Sequence, residues 1–281
     1  MFSKVISAGC SFMFGSYDNE KNNDIRTVPY IKKLTLQQHK KTLGDFIAEK
    51  LGVDNHLCLA RSGHSNKYAI RKIYDQIINK TNSDRYLVVL GLTAFTRSEI
   101  MFGDTDEYHP VTISDYHLWW EKGSSEYGSY KSDISKEKTE KYLDFHYTYF
   151  TSLKLLSEEL AAQLNMLQSL CNLKQTKLVV FFSFFEDYNI GRLPLDFTYT
   201  TSKIFLDKKN IFNLFNFGFD NTVVHPWSSF MKLYDSGYSM SHPYTYDNII
   251  CSGAIADYVN NIPISPYQII NKHKPDDSYF S

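Results

Sequence analysis

Lys4-Val5-Ile6-Ser7-Ala8-Gly9-Cys10-Ser11-Phe12-Met13-Phe14-Gly15 is the stretch from which the rest of the chain is best read. Its first half is an apolar run of the length of one buried strand, broken at Gly9. Past the break a hydroxyl, Ser11, arrives where a helix or loop has to begin. Ligands of open α/β sheets bind outside the carboxyl ends of the strands, so a serine just beyond the first strand stands where chemistry is usually done.

Working outward, residues 16–40 are polar, charged and without periodicity, as a surface loop bordering such a site would be. Thr42 to Gly52 predicts a helix: Leu43, Phe46, Ile47 and Leu51 share one face, and Gly52 is a C-terminal stop. A second strand at about 55–59 leads into Ala60-Arg61-Ser62-Gly63-His64-Ser65-Asn66, a polar turn in which Asn66 is placed to cap the next helix. Ile70, Ile73 and Ile77 give that helix its apolar spacing. Arg85 to Gly91 is a third strand, apolar without alternation, as parallel strands covered on both faces tend to be. It ends in another polar turn, Gly91-Leu92-Thr93-Ala94-Phe95-Thr96-Arg97. Three strand–turn–helix units thus place three polar turns on one edge of one sheet.

The rhythm stops at residues 100–140, which are acidic, Gly/Ser-rich and aromatic, with Trp119 and Trp120, and read as an insertion over the site. A long helix is expected over about 144–172 and a fourth strand over Lys177 to Phe184. Residues 186–240 are aromatic and resist parsing. A short last helix is expected from Ile250 to Val259, followed after about 266 by a polar tail with the composition of a disordered end. The 281 residues suffice for one large domain, and the whole of 1–281 is read as one.

Composition narrows the function. With 30 Lys plus Arg against 31 Asp plus Glu there is no broad field to draw the chain onto nucleic acid or an anionic membrane, so neither is an expected partner. Aromatic residues make up 16%; they are read first as core, with tyrosine-rich loops for contact to carbohydrate or protein as the second reading. Cys10, Cys58, Cys171 and Cys251 form no CxxC pair, and His109, His117 and His146 have no ligand spacing. No metal or organic cofactor is therefore expected, and reduced thiols point to the cytoplasm. Ser7-Ala8-Gly9-Cys10 has the small residues of a lipidation box, but only nine residues precede Cys10, too few for a basic start plus an apolar core of about 7–15.

Four blocks carry a family likeness: Gly9-Cys10-Ser11-Phe12, Gly63 within Ser62-Gly63-His64-Ser65-Asn66, Gly91-Leu92-Thr93, and His242-Pro243. In this order the chain resembles the SGNH hydrolases, the group that includes the GDSL lipases and esterases, and most closely its phage-type and bacterial members that begin with Gly-Cys-Ser-Phe. The likeness covers about the first hundred residues. It implies a three-layer α/β/α sandwich with a flavodoxin-like parallel sheet. It further implies a serine esterase that cleaves a small ester, such as an O-acetyl group on carbohydrate, through an acyl-Ser11 intermediate. His242 would be the base, and the oxyanion would be held by the N–H groups of Ser11 and Gly63 with a side chain from Thr93. Asn66 and Arg97 border the site as substrate-binding candidates.

The chain departs from the family pattern at three places. Thr93 stands where the family has Asn, with a shorter donor. The acid three residues before the histidine is replaced by Ser239, leaving Asp235, seven residues before it, as the carboxylate candidate. Cys10 replaces the acidic residue of the first block. A rival dipeptide, His225-Pro226, lies seventeen residues upstream of His242-Pro243, which is preferred because it precedes the last helix. These departures motivate a second reading: a non-catalytic protein of the same fold that binds glycan or protein through the aromatic insertion, such as a virion-associated phage accessory protein. Acyl transfer to another acceptor is a third. Neither oligomeric state nor substrate identity follows from the sequence.

Overall fold

A computed structural model describes residues 1–9, 13, 41–61, 64–81, 83–93, 97–101, 108–112, 141, 145, 153–182, 245–263 and 272–273. Four parallel strands form its sheet: β1 (Lys4–Ala8), β2 (His56–Cys58), β3 (Tyr86–Leu92) and, late in the chain, Lys177–Phe182. Between them run α1 (Leu43–Leu51), α2 (Asn66–Ile77), an antiparallel hairpin of β4 (Arg97–Met101) and β5 (Tyr108–Thr112), and α3 (Leu153–Leu173). The strand Lys177–Phe182 is β6, and α4 (Thr245–Val259) is the last helix. The sheet order is β2-β1-β3-β6.

Apolar residues fill both faces, as covered parallel strands require. Val5, Leu87, Val89, Val179 and Phe181 pack against α1 and α4, while Ile6, Val88, Leu90, Leu178 and Val180 pack against α2 and α3. Every residue of β3 but its first is buried, which is why its sequence does not alternate. The chain is an α/β protein with helices on both faces of an all-parallel sheet.

Local signals set the helix ends. Thr42 caps α1 by accepting from the Asp45 N–H, and Asp45 returns the bond to the Thr42 N–H, a reciprocal capping box. Gly52 ends α1 at φ +65°, and its N–H reaches the Ala48 and Glu49 carbonyls, the left-handed stop the sequence predicts. At α2 the expectation shifts by one residue. Ser65, not Asn66, is the N-cap, accepting from the Tyr68 N–H, and Asn66 opens the helix proper. Both are good capping residues; Asn66 is diverted because its amide is engaged elsewhere.

The strand order reverses between β1 and β3: the chain leaves β1 for β2 on one side and then crosses to β3 on the other. In open α/β sheets such a switch point is where ligands bind, outside the carboxyl ends of the strands, and here those ends are Ala8 and Leu92. Of the stretch 100–140, expected from the sequence to be an insertion, residues 100–101 and 108–112 are described and belong to the β4–β5 hairpin, while 102–107 and 113–140 lie outside the described residues. Of the tail, Lys272 and His273 are described, both bonded to Asp257 on α4. No helix among the described residues is long and apolar enough to cross a membrane.

Candidate functional site

Gly9 terminates β1 at φ +146°, a conformation rarely open to a side chain. A Cβ there would lie 2.5 Å from the Gly91 carbonyl oxygen, so the missing side chain also lets the β1 exit approach β3 at the switch point. The Gly9 carbonyl accepts from the Arg61 N–H at 3.1 Å, and the Ser7 carbonyl from the Leu59 N–H at 2.7 Å, which ties the exits of β1 and β2 together. Beyond Gly9, Met13 is helical and buried in the core with α1 and α4.

The second and third turns meet through two residues far apart in sequence. The Asn66 amide donates through Nδ2 to the Thr93 carbonyl at 2.8 Å and accepts through Oδ1 from the Thr93 N–H at 2.8 Å. Both residues are buried. This two-point bond fixes the main chain at the C-terminal end of β3. The Thr93 hydroxyl, by contrast, is buried with no hydrogen-bond partner among the described residues. Leaving a buried polar atom unmatched commonly costs about 1–3 kcal/mol.

A second tie flanks the first. Ser65 Oγ donates to Glu99 Oε1 of β4 at 2.9 Å while accepting from the Tyr68 N–H. Glu99 also receives the Arg71 guanidinium at 3.0 Å, and its side chain is 3% exposed. The described partners of Glu99 are thus on α2 and its cap.

Of the residues singled out from the sequence, Thr93 and Asn66 are brought into contact. Arg97 lies in β4, registered with Thr112, and its side chain is outside the described residues. Ser11, Gly63, Asp235 and His242 also lie outside them.

One constellation escaped sequence reasoning. Ser7 Oγ lies 2.8 Å from His56 Nε2, and His56 Nδ1 lies 2.6 Å from Asp45 Oδ1. The connectivity is that of a serine–histidine–aspartate triad, with Thr42 bonded to the far carboxylate oxygen. Ser7 is fully buried in an interior strand, paired with Cys58 on one side and Val89 on the other. Gly44 of α1 packs so close that a Cβ on it would collide with both the Ser7 hydroxyl and the His56 ring. The Ser7 hydroxyl is engaged with His56 and packed beneath Gly44, so the chain of bonds works as a polar bolt between α1, β1 and β2. Burial alone would raise the Asp45 carboxyl, but the bonds from His56 and then Thr42 outweigh it and hold the carboxyl at about 2, below the ordinary 3.8. The sequence offered no signal, since Ser7 occupies an interior strand position and its partners lie 38 and 49 residues on.

Among the described residues, Cys58, Cys171 and Cys251 form no disulfide. Burial pushes Cys58 up and Cys171 up to about 12, so both stay protonated and poorly nucleophilic at neutral pH. Among the described residues no group of three His, Cys, Asp or Glu side chains is arranged to hold a metal ion. No protein-family model matches the chain, and a comparison with curated proteins finds no match.

Proposed function

We propose that this protein is a serine acyl hydrolase with the SGNH arrangement, its sheet being of the flavodoxin-like kind, and that it cleaves small esters such as O-acetyl groups on carbohydrate. The observation that carries the reading is the Thr93 hydroxyl, buried and without a hydrogen-bond partner among the described residues at the C-terminal end of β3, while its main chain is held by Asn66. A fixed donor without an acceptor is what a site must keep in reserve for charge that develops only during reaction. Thr93 stands in the third of the four blocks on which the family likeness rests, and the switch point is where an α/β sheet receives ligands.

In this reading Ser11 Oγ attacks the ester carbonyl carbon and passes its proton to His242. The carbonyl oxygen becomes an oxyanion held by Thr93 Oγ1 with the N–H groups of Ser11 and Gly63. Collapse expels the alcohol, which takes the proton from His242. Water, activated by the same imidazole, then releases the acid from Ser11. Asn66 serves as the clamp on Thr93 rather than as a substrate contact.

A fluorophosphonate should label Ser11 of the full chain, and the labelled protein should lose turnover of p-nitrophenyl acetate. Folded protein that neither labels nor turns over ester removes the reading. Ser239 in place of the usual acid favours the second reading, a binding protein of the same fold, and that outcome would select it.

A further inference from the structure

We infer that Glu99 is a positioning residue for the Thr93 hydroxyl, an inference that rests on the acyl-hydrolase reading for its consequence in catalysis. The geometry behind it is a staple with two legs. Thr93 directly follows β3 and Glu99 lies within β4, and the two residues are fastened to consecutive residues of α2 and its cap. Asn66 holds Thr93 through both main-chain groups, and Ser65 holds Glu99 through a hydroxyl bond of 2.9 Å. Arg71, one and a half turns along α2, grips the second carboxylate oxygen at 3.0 Å.

Chemistry favours a carboxylate at this position. Ser65 Oγ already accepts from the Tyr68 N–H, so its remaining role is to donate, and Glu99 Oε1 is the acceptor. The other oxygen is left to Arg71, so each oxygen has a donor and the buried charge is compensated. A neutral amide has a single acceptor oxygen, so if that oxygen serves Ser65 the amide turns its NH2 donor toward the guanidinium. Alanine loses both bonds of the Glu99 leg, those to Ser65 and to Arg71, and leaves the Asn66 leg in place. Thr93 and β4 are then no longer tied to the same end of α2, and the hydroxyl is positioned through the Asn66 clamp alone.

The test compares wild type, Glu99→Gln and Glu99→Ala as full chains, by steady-state turnover of p-nitrophenyl acetate and by hydrogen exchange of the Thr93 amide, with Leu90 in mid-strand as the internal standard. The expected result is kcat falling in the order wild type, Gln, Ala, by about 10-fold and then about 100-fold, with KM within about twofold, because misplacement of a catalytic donor acts on the transition state. Exchange at Thr93 should quicken in the same order while Leu90 stays protected. Unchanged kcat in the variants of an active wild type overturns the inference, and so does a rise in KM alone. If wild type is inert toward both ester and fluorophosphonate, the hydrolase reading falls by itself. Exchange at Thr93 then decides: quickened exchange upholds Glu99 as the residue that positions Thr93, and unchanged exchange refutes it. Should Glu99→Ala not fold, Glu99→Gln carries the same comparison.

Discussion

Thr93 and Asn66 behave oppositely under substitution if one is a reserved donor and the other its clamp. Thr93→Val removes a hydroxyl that has no described partner and keeps the shape, so stability to urea should be unchanged or slightly raised. Ester turnover should fall by about 100-fold or more, the usual loss for one oxyanion donor. A variant that gained stability and kept full activity would show the hydroxyl to be idle. Asn66→Ala should instead destabilise by about 2–4 kcal/mol in urea melts, since it leaves both the Thr93 N–H and its carbonyl buried and unmatched. The sequence marks both residues as candidates, because each sits in a polar turn after a strand. It does not reveal that they bond to each other, since nothing in a single chain reports a side-chain-to-main-chain bond across 27 positions.

Helix α1 shows at the scale of an element how an amphipathic pattern and a polar network share one interface. Its apolar face and both ends are legible: Leu43, Phe46 and Ile47 are buried, and Thr42 and Gly52 close it. The polar bolt beneath it is not legible, because Ser7 takes a position that β1 otherwise reserves for apolar residues. Two outcomes follow from the bolt. Gly44→Ala should cost about 1–3 kcal/mol in chemical denaturation, by forcing a methyl group into Ser7 and His56, whereas an alanine in an open helix site would be neutral or better. The second concerns pH. Asp45 has a folded-state value near 2 against an ordinary 3.8, so its contribution is complete above about pH 4 and is lost as pH falls through about 2. Because the Asp45 side chain is 35% exposed, solvent screening limits that contribution to about 1 kcal/mol. Acid titration of stability should therefore show a steeper limb between pH 4 and 2 in wild type than in Asp45→Asn, and equal limbs would remove Asp45 from the account.

Across the whole molecule, what sequence patterning conveys best is which segments are buried: β1, β3 and β6 are apolar runs, and α1 and α2 show helical spacing, because burial on a regular element leaves a periodic trace. What it conveys least is which distant segments are bolted together, and α4 is the clearest case. Its residues from Asn248 to Asp257 are all buried, so no polar face marks its orientation. One side lies in the core with α1 and the sheet, through Ile250, Ala254 and Ile255. Another side receives the chain's end: His273 Nε2 and Lys272 Nζ meet Asp257 Oδ2 at 2.6 and 2.8 Å, and the His273 ring fits against Gly253, where any Cβ would collide with it. Gly253 and Asp257 are four residues apart, one turn along the same face, so a notch and a carboxylate together make the seat. Composition marks the tail as a polar end, yet at these two residues it closes the molecule. Removing residues 272–281 should lower stability by about 2 kcal/mol in urea, reflecting two charge-assisted bonds partly replaced by water on Asp257. Gly253→Ala should do much the same by expelling the ring, although alanine is the better helix former. If the tail is the shared cause, combining the two changes should cost no more than either alone, and a fully additive loss would show that Gly253 and the tail act separately.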